Sequence, residues 1–224
     1  MIDWQQIDTV LLDMDGTLLD LHFDNYFWLR YLPERYAAQQ QISFEESAAE
    51  LKARYSRQIG HLNWYCLDFW SKELELDILA LKADLQHLIA YRPKAEAFLA
   101  FLKQAGKQRI LLTNAHPDAL QLKLRNTRLS QQVDKLYSSH LFNLPKEDQH
   151  FWPRFFQKEP LALAHTLLID DSIAVLDNAR AYGFSQLLSI AKPDSQQATK
   201  ELPTHYTALT CFSDILPREY LATP

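Results

Sequence analysis

The chain has 224 residues, a formal net charge of −5 and 47% hydrophobic content, and only 4 of its residues are glycine. Ordinary usage of about 7% would give roughly 16. The four, at positions 16, 60, 106 and 183, are too far apart for a G-x-G-x-x-G turn or a G-x-x-x-x-G-K-[ST] loop.

A glycine-rich backbone cradle is thereby excluded, and any bound phosphate must be held by side chains, a metal or helix N-termini. The hydrophobic content fits a folded chain with a sizeable core. The acidic balance argues against nucleic acid or an anionic membrane as the main partner. Cys66 and Cys211 have neither the number for a disulfide framework nor the paired spacing of a zinc site. The first residues lack a basic and apolar leader, and no apolar run approaches 18 residues, so the expectation is a reduced cytoplasmic protein without a membrane span.

In chain order, Val10-Leu11-Leu12 is a short apolar run that ends abruptly at Asp13 and reads as a buried strand. Residues 21 to 91 carry no strand-like run and read as an all-helical insertion. Within them Ser43-Phe44-Glu45-Glu46 has capping-box form. Phe44, Ala48, Leu51, Tyr55 and Ile59 then make one apolar face that Gly60 closes, and Asp77 to Ile89 is a further helical stretch. Phe98, Phe101, Leu102 and Ala105 follow i, i+3, i+4, i+7, with Gly106 just beyond the helix end.

The second strand is Arg109 to Thr113, ending at Asn114, and Pro117 opens the next helix at its first position. Lys135 to Ser138 is a shorter strand candidate. Thr166 to Ile169 is a strand running into Asp170-Asp171, followed by a helix from Ser172 to Tyr182 that Gly183 ends. Gln186 to Ile190 and Tyr206 to Leu209 complete the strands. Strands that are apolar throughout and alternate with helices predict an α/β fold, a parallel sheet with helices on both faces.

Polar clusters stand at the strand ends, where open α/β sheets bind ligands. In Asp13-Met14-Asp15-Gly16 the two carboxylates can turn to one side as the chain leaves the strand, and they repel unless a cation or a proton intervenes. Both remedies suit phosphoryl chemistry: Mg²⁺ takes hard oxygen ligands, and one carboxylate can be a nucleophile beside a second acting as acid and base. A calcium loop fails on spacing, because its glycine would be the sixth residue. Thr113-Asn114 offers phosphate-binding donors but is equally a common turn pair. Lys146 offers a cation but could be a solvated loop residue, and Asp170-Asp171 could cap the following helix.

Taken together, hhhDxDGT, hhhTN, Lys and hhhDD (h, apolar) in this order resemble the haloacid dehalogenase-like superfamily of aspartate-nucleophile phosphohydrolases. The resemblance implies a Rossmann-like catalytic core over residues 1–20 and 92–224, with the insertion at 21–91 forming a helical cap. It also implies roles. Asp13 would be the nucleophile and a Mg²⁺ ligand, and Asp15 the acid–base, ligating through its backbone carbonyl. Thr113 and Asn114 would bind the phosphoryl group, Lys146 would neutralise it, and Asp171 with Asp170 would complete the metal site. Dehalogenases of this fold lack the second aspartate, so Asp15 favours phosphoryl transfer.

Longer strings are similar to the bacterial GMP/IMP nucleotidases, including Phe23-Asp24-Asn25-Tyr26-Phe27-Trp28, Leu62-Asn63-Trp64-Tyr65-Cys66-Leu67-Asp68 and Pro145-Lys146-Glu147-Asp148-Gln149. That likeness implies a purine 5′-mononucleotide substrate, GMP or IMP. Asn25, Tyr26, Trp28, Asn63, Trp64 and Tyr65 could stack a purine and bond its edge, or could simply pack the cap. His116 reads as a helix-start residue. A sugar-phosphate phosphatase or mutase, and a non-catalytic binding protein on the same fold, stand as alternatives.

Overall fold

The computed structural model describes residues 2–220. Its centre is a six-stranded sheet in the order β3-β2-β1-β4-β5-β6. The strands are β1 (Thr9–Leu12), β2 (Gln108–Thr113), β3 (Lys135–Ser138), β4 (Thr166–Asp170), β5 (Gln186–Ile190) and β6 (Thr207–Leu209). All five pairings are parallel. Both short strand candidates are present, as β3 and β6.

The order reverses between β1 and β4, the place where a crevice opens beyond the carboxyl ends of the strands. The register aligns those ends: Leu12 stands opposite Leu111 on one side and Ile169 on the other. Asp13 therefore leaves the sheet beside Asp170, and Thr113 ends the strand on the other flank.

Helices cover both faces because successive strand residues point to opposite sides. Val10, Leu12, Leu111, Leu167 and Ile169 pack on one face with Phe98, Leu99 and Leu102 of α6 (Ala95–Gln104) and Leu120 of α7 (Pro117–Arg125). The short α8 (Leu129–Gln132) adds Leu129 there. Leu11, Ile110, Leu112 and Leu168 pack on the other face. They meet Phe151, Trp152 and Phe155 of α9 (Phe151–Lys158) and Val175, Leu176 and Ala179 of α10 (Ile173–Tyr182). Pro117 is the first residue of α7 after the His116 cap, and Gly183 follows α10, as the sequence predicts.

From 21 to 90 the regular elements are all helical: α1 (His22–Tyr26), a π-helical stretch at Phe27–Tyr31, α2 (Leu32–Gln40), α3 (Phe44–Ser56), α4 (Leu67–Leu74) and α5 (Ile78–Asp84), with 3₁₀ turns at Leu62–Tyr65 and Gln86–Leu88. Their apolar faces meet in a separate cluster that includes Phe23, Phe27, Leu51, Tyr55, Trp70 and Ile78, which α7 joins through Ala119. The Ser43 capping box is formed in both directions. The predicted α3 face needs one correction: the helix ends at Ser56, and Ile59 is 66% exposed. An extra turn to Gly60 would carry no additional buried residue, so nothing holds it in helical form.

The segment is tied to the sheet where it leaves and returns. Asp20 N–H donates to the Ala90 carbonyl at 2.8 Å, and Arg92 N–H to the Leu18 carbonyl at 2.9 Å. The buried Arg92 guanidinium donates to the carbonyls of Thr17, Lys192 and Thr210 at 2.9–3.1 Å, pinning this junction to the far half of the core.

Candidate active site

The crevice at the switch point is a cavity of about 310 Å³, at the small end of the range for small-molecule sites. Its lining joins the strand ends (Asp13, Asp15, Thr113, Asn114, Asp170 and Asp171) and the loop residue Lys146 to Asp24, Asn25, Trp28, Trp64, Tyr65 and Lys82 of the helical segment.

Lys146 organises the floor. Its Nζ donates to Asp13 Oδ1 and Asp170 Oδ2, each at 2.7 Å, and to the Leu112 carbonyl at 3.0 Å. Burial opposes a charged ammonium, but Asp13 and Asp170 outweigh it and hold Lys146 protonated. Burial also pushes the Asp13 carboxyl up to about 6, against the pull of Lys146, with Asp170 adding to the rise. Asp171 is raised well above the usual carboxylate range by burial and by Asp13 and Asp170.

Asp13, Asp170 and Asp171 bring one carboxylate oxygen each to within 4.8 Å of one another. With Lys146, three carboxylates and one ammonium sum to −3 + 1 = −2 when ionised. A divalent cation cancels that charge. The donors are all hard oxygens, and among the described residues the ion pair of Asp171 is with Lys200 Nζ, at 3.8 Å. The residues therefore fit a hard divalent cation such as Mg²⁺.

Gly16 makes this closeness possible. Its φ is +85°, and a Cβ there would meet Asp171 Oδ2 at 2.7 Å and Pro193 Cβ at 3.0 Å. The turn closes with Gly16 N–H donating to the Leu19 carbonyl at 2.8 Å.

Asp15 turns to a different partner from Asp13. Its Oδ1 accepts from Lys123 Nζ at 2.6 Å, and the same ammonium donates to Asp24 Oδ2 at 2.6 Å. Lys82 Nζ reaches the other Asp24 oxygen at 2.8 Å. Two carboxylates and two lysines sum to zero, so this network is neutral by itself. Burial raises Asp15 to about 6 against Lys123, with Asp24 and Asp13 adding to the rise. Burial likewise opposes ionisation of Asp24, but Lys123 and Lys82 together hold it below the usual carboxylate range.

The side chains of Thr113 and Asn114 are engaged in building the loop. Thr113 Oγ1 accepts from Ala115 N–H at 3.0 Å. Asn114 Oδ1 accepts from Lys146 N–H at 2.9 Å, while its amide donates to Glu147 Oε2 at 2.8 Å. Tyr65 crosses from the helical segment to donate to Glu147 Oε1 at 2.9 Å.

Among the other segment residues singled out by sequence, Asn25 donates to Asp194 Oδ2 at 2.7 Å. Trp28 packs edge-on against Tyr55 and Trp70 with ring centres 5.7 and 6.0 Å away, and Trp64 against Tyr55 at 5.8 Å. These two tryptophans thus pack the helical cluster and line the cavity at once. Tyr26 and Asn63 are exposed and are not among the lining residues. His116 caps α7, its Nδ1 accepting from Asp118 N–H at 3.3 Å, and also borders the cavity.

Sequence reasoning missed Lys123, Lys82, Asp24 and Glu147. A signal existed for the lysines: Lys123 shares the buried side of α7 with Ala119 and Leu120, and Lys82 that of α5 with Ile78 and Leu81. A lysine at such a position needs a buried anion.

Among the described residues no helix is long and apolar enough to cross a membrane. The description "haloacid dehalogenase-like hydrolase" belongs to a family model that matches residues 7–202. The GMP/IMP nucleotidase YrfG of Escherichia coli K12 is 46% identical over 204 residues, covering 91% of this chain and 92% of its own, and its Shigella flexneri counterpart gives the same figures. Among solved structures, a HAD phosphatase from Thermococcus onnurineus superposes with a TM-score of 0.77 at 17% identity, covering 96% and 98% of the two chains. The L-2-haloacid dehalogenase of Xanthobacter autotrophicus gives 0.58 at 19% identity, covering 97% and 100%. At such identities the structural likeness speaks for the fold alone, whereas the family match spans the strand ends and the whole helical segment, and the chain belongs to the haloacid dehalogenase-like hydrolases.

Proposed function

We propose that the protein is a Mg²⁺-dependent cytoplasmic phosphatase that hydrolyses purine 5′-mononucleotides, GMP or IMP, through an aspartyl-phosphate on Asp13. The observation that carries the chemistry is the separation of the two aspartates of one motif. Asp13 lies with Asp170, Asp171 and Lys146 in a cluster of net −2. Asp15 lies in a neutral network with one carboxylate oxygen bonded to Lys123. A nucleophile and a proton carrier need such different surroundings. The 46% identity to a GMP/IMP nucleotidase supports the choice of substrate.

In this reading Asp13, Asp170 and Asp171, with the Asp15 backbone carbonyl, would hold Mg²⁺, which supplies charge stabilisation and orientation of the phosphoryl group. An Asp13 oxygen attacks phosphorus and the bond to the ribose 5′ oxygen breaks. Asp15 gives that oxygen its proton. Asp15 next takes a proton from water as the water attacks phosphorus, releasing phosphate and restoring Asp13. Lys146 neutralises Asp13 and the incoming phosphate, and Thr113 and Asn114 bind the phosphoryl oxygens. The side-chain bonds of Asn114 to the Lys146–Glu147 loop support a positioning part for it as well.

Residues 21–91 serve as a cap on the core formed by 1–20 and 92–224. Asn25, Trp28, Trp64 and Tyr65 contact the nucleoside, while Tyr26 and Asn63 reach it only if the cap moves. Closing such a cap excludes water while Asp13 attacks.

The test is hydrolysis of GMP, IMP, AMP and a set of sugar phosphates with Mg²⁺, with Asp13→Asn as control. The proposal expects purine nucleotides to be preferred and the variant to be inactive. Faster turnover of sugar phosphates would move the substrate assignment, and activity surviving Asp13→Asn would refute the mechanism.

A further inference from the structure

A second group of metal-ligating side chains includes His116 of the cavity lining and shares no residue with the carboxylate centre. Cys66 precedes α4 in the cap, His116 caps α7 in the core, and His140 sits in the 3₁₀ turn Ser139–Phe142 after β3. These residues are 50 and 24 positions apart in sequence, so no spacing rule finds them. In space, one sulfur and two imidazole nitrogens lie within 4.8 Å of one another. The two rings meet edge to face, with centres 5.0 Å apart.

The state of His140 is a second, independent observation. Its Nε2 is buried without a hydrogen-bond partner among the described residues. A neutral imidazole carries its proton on one nitrogen, so with that proton on Nδ1 the unpartnered Nε2 presents a lone pair. A buried imidazole nitrogen with no partner is costly unless something occupies it. Burial and the neighbouring His116 hold this ring neutral at physiological pH, and the neutral form is the ligating one.

We propose that Cys66, His116 and His140 form a site for a borderline-soft divalent cation, Zn²⁺ or a close analogue, that clamps the cap to the core. One thiolate and two imidazoles select such an ion over Mg²⁺, which prefers oxygen. Binding releases the Cys66 thiol proton to solvent. Ligand atoms around a tetrahedral Zn²⁺ stand about 3.4–3.7 Å apart, so rotations moving each atom by about 1 Å would close the site. Asp68 lies 3.7 Å from His116 Nε2 and suits a ring that ligates through Nδ1, with Nε2–H turned to that carboxylate and the 3.3 Å bond from Asp118 N–H given up.

The ligands come from both sides of the cap–core boundary, so an ion held here opposes the opening that admits substrate and releases product. This consequence for turnover rests on the phosphatase reading. The ion site itself does not.

Co²⁺ is the probe that separates the two. The full chain is titrated with Co²⁺ in excess Mg²⁺, and the thiolate-to-cobalt absorption is followed in the near ultraviolet. One equivalent should produce the band, Zn²⁺ should displace it, Cys66→Ser should abolish it, and His140→Gln should weaken binding by at least about tenfold. Cys211 stays in place as an internal control. In parallel, both variants should retain wild-type hydrolysis with Mg²⁺ alone and need at least about tenfold more Zn²⁺ for half-inhibition.

Absence of the band in the wild-type chain overturns the proposal. So does inhibition of wild type and Cys66→Ser at the same Zn²⁺ concentration, which would locate the effect at the carboxylate centre. Lack of hydrolysis on every phosphoester would refute the phosphatase reading while leaving the cobalt titration to decide the site.

Discussion

Replacing Gly16 by alanine probes whether the carboxylate cluster depends on a missing side chain. With φ at +85°, the backbone lies where a Cβ costs about 1–2 kcal/mol. The added carbon would sit 2.7 Å from Asp171 Oδ2, 2.8 Å from Asp171 Cγ and 3.0 Å from Pro193 Cβ. Pushing these aside in a packed site costs a further ~1–3 kcal/mol. The sum, about 2–5 kcal/mol, lowers Tm by about 4–20 °C in a domain of this size. Because Asp171 is the group displaced, the apparent affinity for Mg²⁺ should also fall by about 10–100-fold.

Gly60→Ala separates strain from contact. It shares the backbone conformation, with φ at +81°, but nothing lies within 4 Å of its added carbon. It should lose only about 1–2 kcal/mol and keep the wild-type Mg²⁺ response. Thermal melts and Mg²⁺-activation curves for both variants decide the matter. A Gly16→Ala protein that melts with the wild type and is half-activated at the same Mg²⁺ concentration would refute the argument.

Two other predictions concern buried charge. Lys123→Met strips Asp15 of its ammonium and leaves Asp24 with Lys82 alone; breaking such a buried pair should cost about 3–5 kcal/mol in urea denaturation. A variant as stable as wild type would show that the network carries no net stability. His140, held down to about 4 by burial and by His116 against an ordinary value of about 6.5, gives a pH dependence. The unfolded chain takes up this proton first on acidification. Stability is therefore complete above about pH 6.5 and declines down to about pH 4, by up to about 2 kcal/mol after screening at a partly open position. His140→Gln should flatten this part of the profile, and an unchanged slope would assign the acid sensitivity elsewhere.

The strand ends were legible in the sequence because burial on both faces makes parallel strands apolar up to the sheet edge, with β4 ending on Asp170 itself. The change from Leu12 to Asp13, or from Ile169 to Asp170, therefore marks the sheet edge directly. Pro117, Gly106 and the Ser43 box were legible for the same local reason, since each acts within one turn of helix. The Asp15–Lys123–Asp24–Lys82 network was not, because its partners are up to 108 positions apart and a lysine on a buried helix side shows the need for an anion without showing which one. The zinc-like group was hidden similarly, since a spacing rule sees only ligands on one loop. Ile59 failed in the opposite way: the periodicity continued past Ser56, but no neighbour was there to receive it.

The central claim is that Asp13 takes the phosphoryl group before water does, and the stereochemistry at phosphorus tests it most directly. A guanosine 5′-phosphorothioate made chiral with oxygen isotopes is hydrolysed with Mg²⁺ in water of the third isotope. Two in-line displacements, by Asp13 and then by water, predict net retention of configuration. Net inversion would mean a single direct attack by water and would contradict the account.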